Sequence, residues 1–285
     1  MSTRVPAPYV GLIDDAAIFP PGNSPLPSAL TAYAERAERP EADLVASFVV
    51  TDVRVPEVDR DLPLSVVVTG GAGAVAGALR LADRSPARLA GLEIALRDPD
   101  DLVGNARRVL AATDAARAEG LLDEETPVYV ELPAVEPSAS WLAAADVVAE
   151  AELRLKFRTG GEEPHLFPTA STLATWIDAA LDRETPFKCT AGLHHAVRQT
   201  SPEGFEQQGF LNVLLATRHA FDGAGRDDVV ATLERRDAEA LAEECRAADL
   251  AGARRWFTSF GSCSVSEPLD DLITLGLVPT GAERP

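Results

Sequence analysis

Eight short runs rich in β-branched and apolar residues recur along the chain, with longer Ala- and Leu-rich stretches between them. The runs are 10–19 (VGLIDDAAIF), 43–51 (DLVASFVVT), 64–70 (LSVVVTG), 89–97 (LAGLEIALR), 127–132 (PVYVEL), 152–159 (ELRLKFRT), 186–193 (PFKCTAGL) and 255–263 (RWFTSFGSC). Helical patterns occupy 100–119, 136–150 and 169–182. Such alternation marks parallel βα units, and eight of them predict one α/β domain over 1–285, a (β/α)8 TIM-type barrel, with a frayed tail at 278–285. The segment 52–63 is too short and Pro-rich for a good helix. The long seventh connection, 194–254, predicts two helices, over 204–221 and 227–249. A doubly wound open sheet is the rival, but no Gly-rich dinucleotide turn follows the first run. The stretch GGAGAVAG at 70–77 has neither a dinucleotide fingerprint nor a P-loop lysine, and reads as a tight strand-to-helix turn.

Successive side chains of a strand point to opposite faces, so each run also divides into an inner and an outer set. In the sixth run Leu153, Leu155 and Phe157 share one face and Arg154, Lys156 and Arg158 the other. An outer helix layer cannot accept three unpaired cations, so the charged face turns into the barrel. The same argument puts Lys188, Thr190 and Gly192 inside in the seventh run, against Phe187, Cys189 and Ala191. It puts Glu93, Ala95 and Arg97 inside in the fourth, and Tyr129 and Glu131 in the fifth. The first run adds Asp14 and Asp15, one of which faces inward. Barrel interiors are normally filled by branched apolar residues. Desolvating this many charges is costly unless they act on something, although a self-balancing ion-pair network is the bland alternative.

Composition sharpens one point. The 285 residues contain 26 lysines and arginines, and only Lys156 and Lys188 are lysines, leaving 24 arginines. A guanidinium stays protonated and cannot act as a nucleophile, whereas an ε-amine can lose its proton and attack a carbonyl to form a Schiff base. Two ammonium groups on neighbouring strands would depress one another's pKa, an activating effect. The bland reading of the pair is an anion clamp. The net charge of −19 argues against nucleic-acid and anionic-membrane partners. No signal peptide or apolar run of spanning length is evident, so a cytoplasmic location is expected. Three scattered cysteines make neither a disulfide framework nor a zinc site.

The motifs around the two lysines resemble those of the deoxyribose-phosphate aldolase family, class I aldolases that are also (β/α)8 barrels. Lys156-Phe157-Arg158-Thr159-Gly160 is similar to the family's strand-six motif at Lys, Thr and Gly. Lys188-Cys189-Thr190-Ala191-Gly192 is similar to its strand-seven motif at Lys and Gly. The opening Leu12-Ile13-Asp14 and the final Phe260-Gly261-Ser262-Cys263-Ser264 resemble the family's first strand and phosphate loop. The resemblance implies that Lys156 forms the imine, that Lys188 tunes it, and that Gly261, Ser262 and Ser264 hold phosphate. The family's strand-four aspartate, a proton relay, falls on Ala95, which leaves Glu93 and Glu131 as its replacements beside Asp14. Residues 20–150 show no match, which implies a distant relative with a different substrate.

Further candidates lie at the same end of the barrel. His194 and His195 follow the seventh strand and could serve as acid/base groups or anion ligands. Arg158, Thr159, Thr190 and Gly192 complete the expected substrate-binding set. Metal chemistry is not expected, since the adjacent histidines diverge and no third ligand has suitable spacing. His165 reads as a surface loop residue, Asn212 as helix packing, Cys189 and Cys263 as small packing residues, and Ser266 as a plain helix cap. The sequence therefore predicts a metal-independent, cofactor-free aldolase-like lyase acting on a small anionic or polyhydroxylated carbonyl compound. Two alternatives remain: an imine-free barrel (phosphoribosyltransferase-like or isomerase) with Lys156, Arg158 and Lys188 as an anion clamp, and a non-catalytic metabolite-binding barrel. Self-association stays open.

Overall fold

Strands and helices alternate through the chain in the computed structural model, which describes residues 5–279. Eight parallel strands close into a barrel: β1 (Ile13–Asp15), β2 (Val45–Thr51), β3 (Pro63–Val68), β4 (Arg88–Ala95), β5 (Val128–Glu131), β6 (Arg154–Arg158), β7 (Phe187–Thr190) and, after a two-stranded hairpin of β8 (Gln199–Thr200) and β9 (Glu206–Gln207), β10 (Phe257–Ser262). Each strand is hydrogen-bonded to its sequence neighbour, and β10 closes the ring against β1 and β7. The fold is a TIM-type (β/α)8 barrel, as the alternation of the runs predicts.

The outer layer comprises α1 (Leu26–Ala37), α2 (Val75–Asp83), α3 (Leu102–Ala118), α4 (Ala139–Glu150), α5 (Ala170–Asp182), α6 (Phe210–Phe221), α7 (Arg226–Glu234), α8 (Ala238–Ala247), α9 (Leu250–Ala253) and α10 (Ser266–Thr274). Side-chain caps set several helix starts. Asp101 accepts from Gly104 N before α3, Ser138 from Trp141 N before α4, and Thr169 from Thr172 N before α5. The segment 52–63 makes only a short 3-10 turn, Asp52–Glu57. Gly70 and Gly71 lead through a short 3-10 turn, Gly71–Ala74, into α2, with Gly71 at φ +66.

The seventh connection departs from expectation. Residues 199–207 form the hairpin rather than the start of a helix, and the stretch 227–249 is two helices instead of one. The break falls at Asp237, whose side chain accepts from Ala240 N and starts α8 afresh. Helix α6 is buried on every side from Phe210 to Thr217, because α7, α8 and α9 wrap it. At the chain end Val278 is packed into the core rather than frayed, while 280–285 lie outside the described residues.

An aromatic layer fixes which way β6 faces. Phe157 sits between the helices and β7, with ring centroids 6.3 Å from Trp141, 5.5 Å from Trp176 and 5.1 Å from Phe187. Burying this outward face commits the alternate residues Lys156 and Arg158 to the interior.

Candidate active site

Lys156 and Lys188 lie directly opposite one another in the β6–β7 ladder. Glu93, reaching across from β4, is shared between them. Its Oε2 lies 2.7 Å from Lys156 Nζ, and its Oε1 accepts from Lys188 Nζ at 2.7 Å. A second carboxylate flanks each lysine: Glu131 Oε2 is 2.8 Å from Lys156 Nζ, and Asp14 Oδ2 is 2.6 Å from Lys188 Nζ. Arg158 closes the row, donating from Nε to Glu131 Oε1 at 2.8 Å. Three cations and three carboxylates thus form one chain of ion pairs, with both lysines, Asp14 and Glu93 buried.

Three serines hold the carboxylates in place, and sequence reasoning missed them. Ser65 Oγ donates to Glu93 at 2.7 Å, while Ser47 and Ser259 each donate to Asp14 at 2.6 Å. They stand at inward positions of β2, β3 and β10, so a small polar residue at an inner position of an apolar strand was the available signal. Below Lys188 lies the ring of Tyr129, its centroid 5.1 Å from Nζ. The Tyr129 hydroxyl is held in turn by Arg154 and Thr258, both at 3.2 Å. Of the two acids on β1, Asp14 is the inward one. Asp15 is paired with Arg36 of α1 at 2.7 Å.

The electrostatics of the lysines run opposite to the expected mutual depression. Desolvation of Lys156 favours the neutral amine, but Glu131 and Glu93 outweigh it and raise its pKa above the usual lysine range. Burial of Lys188 is likewise overcome, by Asp14 and Glu93, and its pKa is also raised. The same contacts hold both glutamates low: burial alone would raise them, yet Lys156 and Lys188 bring Glu93 below its ordinary value, and Lys156 and Arg158 do so for Glu131. Alternation sets the two lysines side by side, but barrel register inserts a carboxylate between them.

Both lysines open onto a cavity of about 680 Å³ at the C-terminal end of the barrel, whose lining includes Glu93, Glu131, Lys156, Arg158 and Lys188. Its rim is formed by the loop after β6 and the β8–β9 hairpin. Phe167 of the first stacks on Phe205 of the second, with centroids 4.8 Å apart. Thr190, Gly192, His194 and Gly261 line the cavity, as does Ala95, which presents only a methyl group.

Other predicted binders do not line it. Thr159 turns its hydroxyl to the carbonyl oxygen of Ala191 at 2.5 Å, tying the ends of β6 and β7 together. Gly160 and Gly192 touch just above this bond, where a Cβ on Gly192 (φ +74) would stand 2.6 Å from Thr159 O. Ser262 Oγ donates to Ser264 O at 2.7 Å, and Ser264 Oγ accepts from Glu267 N, so both hydroxyls serve their own loop. Ser266 therefore does not cap α10: Val265 stands at the N-cap, and Ser264 just before it accepts from Glu267 N. His195 is drawn to Asp271 at 3.1 Å, and His194, although in the lining, holds Glu267 at 3.0 Å. These acids stand on α10, directly after the loop in which the family resemblance implied phosphate. Asn212 pins the α6–α7 region, accepting from Arg198 N and donating to Thr232 O and Arg235 O. His165 is an exposed loop residue beside Glu163, and Cys189 is buried with its thiol pKa raised by burial.

No protein-family model matches the chain, and no curated protein matches it by sequence. The structure is similar to that of the tetrameric deoxyribose phosphate aldolase from Aeropyrum pernix, with a TM-score of 0.56 and 12% identity, covering 95% of this chain and 93% of that one. The chain is folded like an aldolase. At this identity the likeness is one of architecture, and it bears out the family resemblance as a distant one. Among the described residues no helix is long and apolar enough to cross a membrane.

Proposed function

We propose that the protein is a class I aldolase-type lyase in which Lys156 forms an imine with a small carbonyl compound. The observation that carries this reading is the pairing of two lysines, in a chain otherwise supplied with arginine, on the floor of one cavity and linked through Glu93. Arginine would satisfy an ion-pair network equally well, so the amine itself is the informative feature. The aldolase-like fold supports the same class of reaction.

The raised pKa of Lys156 holds the resting amine protonated, so imine formation requires that its proton first be passed to a neighbour. Glu131 or Glu93, each within 2.8 Å, accepts that proton and frees the amine to add to the carbonyl carbon. The carbinolamine then loses its hydroxyl as water, taking the proton back from the carboxylic acid. The product iminium carries the same single positive charge as the starting ammonium. The ion-pair chain stays balanced, and the iminium can then accept electrons from carbon–carbon cleavage. Lys188 and Asp14 anchor Glu93 from the far side. Lys188 therefore tunes Lys156 indirectly, by sharing its counter-ion.

An imine-free anion clamp fits less well, because Lys156, Lys188 and Arg158 are already matched by Asp14, Glu93 and Glu131. The test is reductive trapping. The protein is incubated with a panel of aldehydes and ketones, borohydride is added, and the intact mass is measured. An adduct on Lys156 that is absent in Lys156→Met and Lys156→Arg supports the proposal. Failure of every carbonyl to give an adduct, with ligand binding retained in Lys156→Arg, would overturn it in favour of the clamp.

A further inference from the structure

Of the cations lining the cavity, three are neutralised and one is not. Lys156, Lys188 and Arg158 belong to the buried ion-pair chain. Arg97 lines the same cavity, and among the described residues its guanidinium has neither a carboxylate within ion-pair distance nor a hydrogen-bond partner. The neighbouring Asp98 is turned instead to Arg108 at 3.8 Å. Arg158 is also incompletely used. Only its Nε is bonded, so its two terminal nitrogens remain free of protein partners among the described residues.

Register brings these two arginines to one level. Ala95, Glu131 and Lys156 are ladder partners across β4, β5 and β6. Arg158 follows two residues later on the inward face of β6, and Arg97, exposed just beyond the end of β4, follows two residues after Ala95, so both line the cavity one layer nearer the mouth. With strands about 4.8 Å apart, their backbones stand roughly 10 Å from one another, within reach of one anion held between two arginine side chains. That layer lies about 6.6 Å above Lys156 along the strands. Elsewhere the lining is acidic, with Glu162 and Glu163 on one rim loop and Glu203 on the hairpin. On the β7–β10 side Glu267 and Asp271 occupy the two histidines.

We propose that Arg97 and the terminal nitrogens of Arg158 form a carboxylate subsite, so that the substrate is a short oxo acid carrying one carboxylate a few bonds from its carbonyl. The acid end docks on the β4–β6 side of the mouth. One uncompensated guanidinium matches one negative charge, and the acidic rim disfavours a phosphate dianion. The carbonyl half of this inference rests on the imine proposal, whereas the carboxylate half does not.

The experiment compares pyruvate, acetone and dihydroxyacetone phosphate on the wild-type protein, Arg97→Gln and Arg97→Lys. Two readouts are taken, the half-saturating concentration from ligand-observed NMR and the borohydride-trapped mass adduct. Arg97 is exposed, and unchanged melting temperatures verify that the variants fold. Expected is half-saturation by pyruvate at least tenfold below that of acetone, a rise of about tenfold for pyruvate alone in Arg97→Gln, and partial recovery in Arg97→Lys. Equal binding of pyruvate and acetone, indifference to Arg97→Gln, or tighter binding of dihydroxyacetone phosphate than of pyruvate would overturn the subsite. If selectivity for pyruvate depends on Arg97 but nothing is trapped, the subsite stands and the imine reading falls. Trapping of acetone and pyruvate alike leaves the imine reading standing without the subsite.

Discussion

Replacing Glu93 by Gln tests the electrostatic account of the site at its centre. This carboxylate is buried, serves both lysines at 2.7 Å and accepts from Ser65. Its amide isostere keeps the volume and removes the charge, leaving two buried ammonium groups with one carboxylate each. Breaking a buried ion pair costs about 3–5 kcal/mol. Unfolding entropy of about 2.1 cal/mol/K per residue gives roughly 0.6 kcal/mol per kelvin for the whole chain, so the melting temperature should fall by roughly 5–8 °C. The same change removes one of the two carboxylates that keep Lys156 protonated. The pH at which reductive trapping reaches half its maximal rate should therefore move down, measured from pH 7 to 11 at fixed carbonyl concentration. Scanning calorimetry supplies the first number and intact-mass kinetics the second. A variant that melts within 1 °C of wild type, or traps with an unshifted pH profile, would refute the claim that Glu93 holds the two lysines charged.

Two further outcomes follow from contacts described above. Asn212→Ala should cost about 2–4 kcal/mol in urea unfolding, because it strands the Arg198 amide and the Arg235 carbonyl and leaves the Thr232 carbonyl only its long bond from Arg235 N; trapping per folded molecule should be unchanged, and a slower trapping rate would move Asn212 into the site. The pH dependence of the urea midpoint should show a plateau between about pH 5 and 10. Glu93 and Glu131 have folded pKa values below their ordinary 4.5, so their contribution is present above that value and is lost as pH falls. Lys156 and Lys188 have folded values above 10.5, so theirs is present below that and is lost as pH rises. A midpoint that climbs steadily from pH 6 to 9 would contradict these signs.

Alternation within single strands made most of the barrel interior legible. Leu155 and Phe157 against Lys156 and Arg158 is decided by two faces only, and the aromatic layer of Trp141, Trp176 and Phe187 shows why the choice is firm. Lost from view was whatever depends on register between distant strands. No local pattern tells that Glu93 of β4 lies between lysines on β6 and β7, so the direction of the lysine pKa shifts was misread. The same limit hid the serines on Asp14 and Glu93, whose partners are 28 to 245 residues away in sequence. In the seventh connection the obstacle was local. Ala-rich helical composition continues through Asp237, and only its capping bond reveals a new helix start. His195 is expected in the site from its position after β7, and Ser262 and Ser264 from the family resemblance, yet their nearest partners, Asp271 and the loop backbone, take their polar atoms first.

The neutrality of the buried cluster has a consequence for how such a sequence can drift. Asp14, Glu93 and Glu131 against Lys156, Lys188 and Arg158 leave no charge over, and each member touches at least one of opposite sign. A single substitution that removes the charge at Asp14, Glu93, Lys156 or Lys188 leaves an opposite charge uncompensated away from water, so the charge at these positions should be lost only in compensating pairs. Relatives that share this barrel should keep the cluster whole or lose an acid and a base together. A homologue without Glu93 that retains both lysines must carry a replacement carboxylate on a neighbouring strand.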